Sequence, residues 1–250
     1  MSVQEDLVPV LKKLRLSGLL QSMELRTREA MEGELSHTEF LYRLLVDETE
    51  RRDGKQLGLR IRRASFEKES TLEDFDFSFN VGIPKARLLE LGTCAFVDRH
   101  ENVLLLGPAG VGKSHLAQAL GHRACRLGKG VLYLSAHDLM TQLRASRADH
   151  SYERRMLRLT SPELLIIDDL GLRPLTLDEP MDLYEVIRRR YQRGSIIFTS
   201  NRDVSEWPPL FGDALLASAA LDRVLHGAHV LELTGDSYRN PPQAKRPRAR

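Results

Sequence analysis

Hydrophobic positions along this chain follow two rhythms, and the change between them divides it. Residues 5–32 carry Leu7, Val10, Leu11, Leu14, Leu16, Leu19, Leu20, Met23 and Leu25 at helical spacing, with Gly33 as a stop signal. A second helix is expected after Ser36, where Glu39 completes a capping box and Phe40, Leu41, Leu44 and Leu45 supply an apolar stripe. From about residue 80 the pattern changes to short apolar runs separated by helical stretches. The runs at 102–106, 131–135, 164–168, 196–200 and 229–233 read as strands. Such alternation predicts an α/β fold with a parallel, doubly wound five-stranded sheet, preceded by a small all-α domain.

Between the two rhythms lies Thr71-Leu72-Glu73-Asp74-Phe75-Asp76-Phe77-Ser78-Phe79, acidic with Phe at alternate positions. It reads as a linker whose aromatics anchor it to the domain that follows. The expected organisation is a basic helical domain over 1–70 and an α/β domain with its linker over 71–239. A basic tail over 240–250 (Lys245, Arg246, Arg248, Arg250) is expected to be disordered, and no room remains for a C-terminal helical lid.

Composition narrows the class but not the function. The 250 residues are 42% hydrophobic and 29% charged, the balance of a soluble globular protein. No apolar run approaches the roughly 20 residues of a membrane span, and no signal-peptide pattern opens the chain. A cytoplasmic protein with no membrane partner is expected. Cys94 and Cys125 are too few and too unpatterned for a metal site or a disulfide framework. The net charge of +2 conceals two basic groups: Arg51, Arg52, Lys55, Arg60, Arg62, Arg63 and Lys68, then Arg144, Arg147, Arg154, Arg155 and Arg158. Flexible cations without base-reading partners suit sequence-independent phosphate contacts, although charge runs are more often solvated faces.

The candidate chemistry begins where the first strand ends. Gly107-Pro108-Ala109-Gly110-Val111-Gly112-Lys113-Ser114, followed by His115, has the G-x-x-x-x-G-K-S spacing of a P-loop. Its glycines let successive N–H groups turn toward phosphate oxygens, Lys113 reaches the β- and γ-phosphates, and the Ser114 hydroxyl can ligate Mg²⁺. The helix expected from Lys113 aims its positive end at the same anion. Leu164-Leu165-Ile166-Ile167-Asp168-Asp169 supplies carboxylates at the C-terminal edge of a buried strand, where open α/β sheets bind ligands. Asp168 is the candidate for Mg²⁺, and Asp169 the candidate to orient or deprotonate an attacking water. The pattern therefore predicts ATP and Mg²⁺ as cofactors. Thr199-Ser200-Asn201 ends the fourth strand, where a polar side chain can touch the γ-phosphate or that water.

Asn201 in that place resembles the sensor-1 residue of AAA+ ATPases. With Leu72-Glu73-Asp74-Phe75-Asp76, Phe211-Gly212-Asp213, Leu221-Asp222-Arg223-Val224-Leu225-His226 and Ser237-Tyr238-Arg239, nearly the whole chain resembles the IstB-type ATP-binding proteins of IS21-class insertion sequences. It resembles the helicase loader DnaC less closely. The resemblance implies an AAA+ fold and a DNA-stimulated ATPase that forms head-to-tail oligomers on duplex DNA and assists the transposase of its element. It makes Arg223 the arginine finger that reaches a neighbour's ATP, with Arg239 the alternative phosphate-sensing arginine. Two rival readings are a helicase loader that binds single-stranded DNA and a DNA scaffold in which ATP is structural. A small-molecule kinase fits poorly, because an extra strand separates the P-loop from the Asp-Asp strand.

Overall fold

The computed structural model describes residues 3–33, 35–80 and 82–240. The basic tail from 241 on lies outside them. Contacts divide the chain into two compact units, one ending at Leu59 and one beginning at Arg60. The division falls inside a helix, earlier than the composition boundary near residue 70.

The first unit holds α1 (Val3–Lys13), α2 (Ser17–Glu32) and most of α3 (His37–Ala64). Where the spacing predicted one helix over 5–32, the structure has two, broken at Arg15, whose φ is +56°. A left-handed residue cannot continue a right-handed helix. The restart is capped at long range: Glu48 Oε2 accepts the otherwise unpaired N–H groups of Gly18 and Leu19. The space is tight, since a Cβ on Gly18 would stand 2.7 Å from the Glu48 backbone. Leu11, Leu19 and Leu44 form the small core, and Arg26 forks onto Asp47 across it. Of the expected capping box one half forms: Ser36 Oγ accepts the Glu39 N–H, while Glu39 pairs with Arg43.

The second unit is a three-layer α/β fold. Its elements are α4 (Lys85–Leu91), α5 (Ala95–Asp98), β1 (Val103–Leu106), α6 (Lys113–Arg126), β2 (Val131–Ser135), α7 (Ala136–Ala148) and α8 (Tyr152–Thr160). They continue with β3 (Leu164–Leu170), α9 (Glu179–Arg190), β4 (Ser195–Ser200), a 3₁₀ turn (Val204–Glu206), α10 (Pro208–Phe211), α11 (Ala214–Leu225) and β5 (His229–Glu232). The sheet is parallel throughout, in the order β2-β3-β4-β1-β5. Every residue of β1 and β4 is buried, as strands covered on both faces require. Trp207, Phe198, Leu139 and Leu143 fill the larger apolar layer.

Two buried polar side chains align the strands. Asn102 accepts the Ile196 N–H and donates to the Val224 carbonyl, both at 2.9 Å, tying the start of β1 to β4 and α11. Arg190, 1% exposed, donates to the carbonyls of Leu159, Pro162, Glu163 and Ser195. Burial lowers its pKa to about 10, so it stays charged while serving backbone acceptors alone. Burial also pushes the Cys94 and Cys125 thiols up to about 11, which makes both poor nucleophiles. Among the described residues no helix is long and apolar enough to cross a membrane, and no helix follows β5.

Candidate nucleotide-binding site

The order β3-β4-β1 places three strand ends side by side, and the functional candidates lie just beyond them. The loop after β1 turns through Gly110 at φ +84° and Gly112 at φ +106°, conformations open to glycine and costly to most residues. Gly112 has a packing reason as well, because a Cβ there would stand 2.6 Å from the Phe75 ring. Among the described residues the N–H groups of Ala109, Gly110 and Gly112 donate to nothing. The first turn of α6 adds the unpaired N–H groups of a helix start. Unpartnered donors on a left-handed loop at a helix N-terminus form an anion cradle.

Lys113 crosses this cradle. Its Nζ donates to the carbonyls of Gly107 and Pro108 at 2.8 Å and to Asn201 Oδ1 at 2.5 Å. Burial lowers its pKa against the pull of Asp169 and Asp168. Asn201, singled out for its place after β4, thus meets the P-loop cation directly.

The two carboxylates of β3 are neighbours with opposite surroundings. Asp168 is 4% exposed; Tyr133 donates to its Oδ2 at 2.7 Å and Thr199 to its Oδ1. Those hydroxyls orient the carboxylate and leave each oxygen a free lone pair. Asp169 lies within a register shift between Ile167 and Leu170, at φ +57°. Its N–H donates to Thr199 Oγ1 at 2.8 Å, while its carboxylate accepts no hydrogen bond from the described residues. Burial, then the Asp168 charge, raise its pKa against the opposing pull of Lys113. The strand expected to end at Asp168 runs on to Leu170 because this bulge absorbs Asp169.

A cavity of about 770 Å³ joins these parts. Ala109, Gly110, Gly112, Lys113, Ser114, His115, Asp169 and Asn201 line it, together with Phe75, Phe79, Tyr238 and Arg239. Val111 is buried behind the loop. The residues suit ATP with Mg²⁺: free N–H donors and a lysine for phosphate, and the Ser114 hydroxyl for a hard cation, with the oriented carboxylate of Asp168 buried and outside the cavity lining. Sequence reasoning gave no site role to Tyr133, Thr199, Phe79 or Tyr238, although the last three lie in segments it singled out. Only their pairing with β3 shows what Tyr133 and Thr199 do.

Other candidates lie elsewhere. Arg223 does not line the cavity; its guanidinium lies over Tyr184 and Tyr191 at 5.5 and 5.9 Å and donates to its own helix at Ala219. Arg144 and Arg147, candidates for DNA, are paired with the buried carboxylates of Glu179 and Asp182 at 2.7 and 2.5 Å. Arg155 donates to Gln142. In the helical unit Arg51 donates to Ser17 and Gln21, Arg52 pairs with Glu48, and Lys55 is exposed with no partner among the described residues. Arg62, Arg63, Arg154 and Arg158 are likewise exposed and unpaired, and Arg60 is half-buried without an ion pair.

Comparison with known proteins bears on the family and the fold. The chain is 40% identical over 230 residues to a protein of Mycobacterium tuberculosis named as an insertion-sequence ATP-binding protein, covering 92% of each chain. It is 38% identical over 234 residues to the one named for insertion sequence IS21 in Pseudomonas aeruginosa, covering 94% of this chain and 88% of that one. Among solved structures, the DnaC helicase loader shares the fold with a TM-score of 0.54 at 19% identity, covering 66% of this chain and 97% of that one. The fold is thus that of the AAA+ P-loop NTPases. The model of the IstB-like ATP binding proteins matches residues 9–246, and the chain belongs to that family.

Proposed function

We propose that this chain hydrolyses ATP when assembled head-to-tail on duplex DNA, and that it serves the transposase of an insertion sequence. The observation that carries the hydrolytic part is Asp169. A half-buried carboxylate with a raised pKa and no hydrogen-bond partner, beside a lysine and an asparagine, has the character of a general base for water. A site made only to hold nucleotide needs no such group.

Each residue then has a role. The loop N–H groups and Lys113 bind and orient the phosphates. Ser114 and Asp168 would hold Mg²⁺, with Tyr133 and Thr199 fixing the carboxylate. Bound there, the ion neutralises charge that develops on the phosphate oxygens. Asn201 places the attacking water, and Asp169 takes its proton. Arg223 lies outside its own cavity, which is where a finger for a neighbour's site has to be. It acts in trans across a heterologous interface, so turnover waits on assembly. Arg62, Arg63, Arg154 and Arg158, exposed and unpaired, are the cations best placed to contact DNA phosphates, with Lys55 in the helical unit. The relatives' names, which attach ATP binding to insertion sequences, support the transposition setting.

Steady-state ATP hydrolysis without DNA, with long duplex and with single strands, read beside light scattering, tests this. Duplex-stimulated turnover with ATP-dependent large assemblies is expected. Stimulation by single strands only, or only with a replicative helicase present, would favour a loader; negligible turnover in every condition would leave a scaffold. Arg223→Ala is expected to keep ATP binding and lose the DNA-stimulated rate. A normal rate in that variant moves the finger elsewhere.

A further inference from the structure

A buried side chain fastens the segment after β5 to the linker before α4. Asn80, 2% exposed, donates from Nδ2 to the Asp236 carbonyl and accepts the Asp236 N–H on Oδ1, both at 2.9 Å. One amide, with donor and acceptor on separate atoms, thereby satisfies both polar groups of one backbone residue. The approach is close by construction. A Cβ on Gly235, at φ +140°, would stand 2.3 Å from Asn80 Oδ1, and one on Gly82 would stand 2.3 Å from Thr234 Oγ1.

Beyond this clamp the segment lies against the P-loop. The Tyr238 N–H donates to the Gly110 carbonyl at 2.9 Å, and a Cβ on Gly110 would stand 2.1 Å from Ser237 Oγ. The Tyr238 ring stacks on Phe79 at 4.1 Å, and its hydroxyl donates to the Asp76 carbonyl. Ser237 Oγ accepts the N–H groups of Arg239 and Asn240 at 3.2 Å, turning the chain so that Arg239 lines the cavity with Lys113, Asp169 and Asn201. Residues beyond a last strand fray unless tied down, and a long arginine side chain loses much rotamer freedom when ordered. Asn80 removes the first of these obstacles before any ligand arrives.

We propose that Asn80 is a positioning residue for nucleotide turnover: it fixes residues 235–239 as a strap across the P-loop and thereby sets Arg239 as a phosphate-facing cation in its own subunit. The proposal rests on the ATPase reading above.

The test is a double-variant cycle in the full-length chain, with kcat and KM for Mg-ATP measured at saturating duplex DNA. Asn80→Asp keeps the shape and the bond from the Asp236 N–H but turns a carboxylate oxygen on the Asp236 carbonyl. It is expected to lower kcat about tenfold, as Arg239→Ala does, and the double variant should be no slower than Arg239→Ala alone. Hydrogen exchange at the Asp236 and Tyr238 amides should speed up while the β1 and β4 amides stay protected. Gly235→Ala, which pushes on the clamp from the opposite side, should show the same coupling if Asn80→Asp folds poorly. Wild-type kcat in Asn80→Asp, or effects that multiply with those of Arg239→Ala, would overturn the proposal and leave Asn80 a structural clamp. Failure of the ATPase reading is separate and appears as a wild-type chain without turnover. The ratio of Mg-ATP to Mg-ADP affinity still decides in that case: loss of a phosphate-facing cation lowers it in Asn80→Asp, and a structural clamp leaves it unchanged.

Discussion

Two places in this chain bring buried carboxylates and cations together, and they resolve the charge in opposite ways. At the start of α9, Glu179 accepts from Arg173, Arg144, Thr176 Oγ1 and the Thr176 N–H, and Asp182 accepts from Arg147 and Tyr152. Both buried carboxylates there have cationic partners. Chiefly its Arg173 hydrogen bonds hold the Glu179 carboxyl at about 2, well below the ordinary range. At the ends of β3 and β4 the pairing is withheld. Lys113 spends its ammonium on carbonyls and an amide, Asp168 is held by hydroxyls, and Asp169 accepts nothing, while burial and the Asp168 charge move its pKa up. A saturated network fixes structure. An unsaturated one of similar composition keeps its charges for a ligand.

Removing Lys113 should give the largest effect. Lys113→Ala is expected to abolish measurable ATP binding by equilibrium titration, and ATP-dependent assembly with it. Unchanged assembly would mean that the P-loop is not the switch. Asp169→Asn comes next: turnover should fall by about 10²–10⁴-fold with Mg-ATP affinity kept, as for loss of a general base. The wild-type pH–rate profile sharpens the point. A base must be deprotonated to act, so a raised pKa in the free enzyme moves the acid limb of kcat/KM to higher pH than an ordinary aspartate would give. That limb should vanish from the residual activity of Asp169→Asn. An acid limb in the ordinary aspartate range would place the base elsewhere.

The legible parts of this molecule are those in which chemistry is local in sequence. The P-loop is one run, and its φ values follow from its glycines. The strands are unbroken apolar runs, and their predicted spans fall within two residues of the observed ones. Pairs distant in sequence were not legible. Tyr133 and Thr199 reach Asp168 only because β2 and β4 flank β3, and Asn80 meets Asp236 across 156 positions. The bulge at Asp169 and the left-handed Arg15 leave no mark in hydrophobic spacing, which reports burial rather than φ. Charge runs were the least informative. Arg144 and Arg147 read as free cations until the carboxylates of α9 are placed against them.

Glu179 breaks the comparison from the other side. Glu179→Gln removes a charge whose partners remain, Arg144 and Arg173, both about half exposed and able to turn to water. A loss of about 1–3 kcal/mol in unfolding free energy is expected, with ATP affinity unchanged. The sign with pH follows from a folded pKa depressed from 4.5 to about 2. The contribution is complete above about 4.5 and is lost as pH falls toward 2, a window that thermal melts of wild type and variant would expose. Altered nucleotide affinity would show that the two clusters are coupled.

The smallest effect separates free cations from paired ones within the basic groups. Removing one cation that binds a phosphate should flatten the slope of log K against log salt by about one for duplex DNA. Arg62→Glu and Arg63→Glu, at exposed positions with no ion pair, should each change that slope while leaving the melting temperature within about 2 °C. Arg147→Ala should do the reverse, lowering stability by leaving Asp182 without a cation while leaving the slope in place, and Arg144→Ala should lower it less, because Glu179 keeps Arg173. A slope that responds to Arg144 or Arg147 and not to Arg62 or Arg63 would mean that DNA competes for the α9 carboxylates' partners. Pairing in the free chain would then be no guide to which cations meet phosphate.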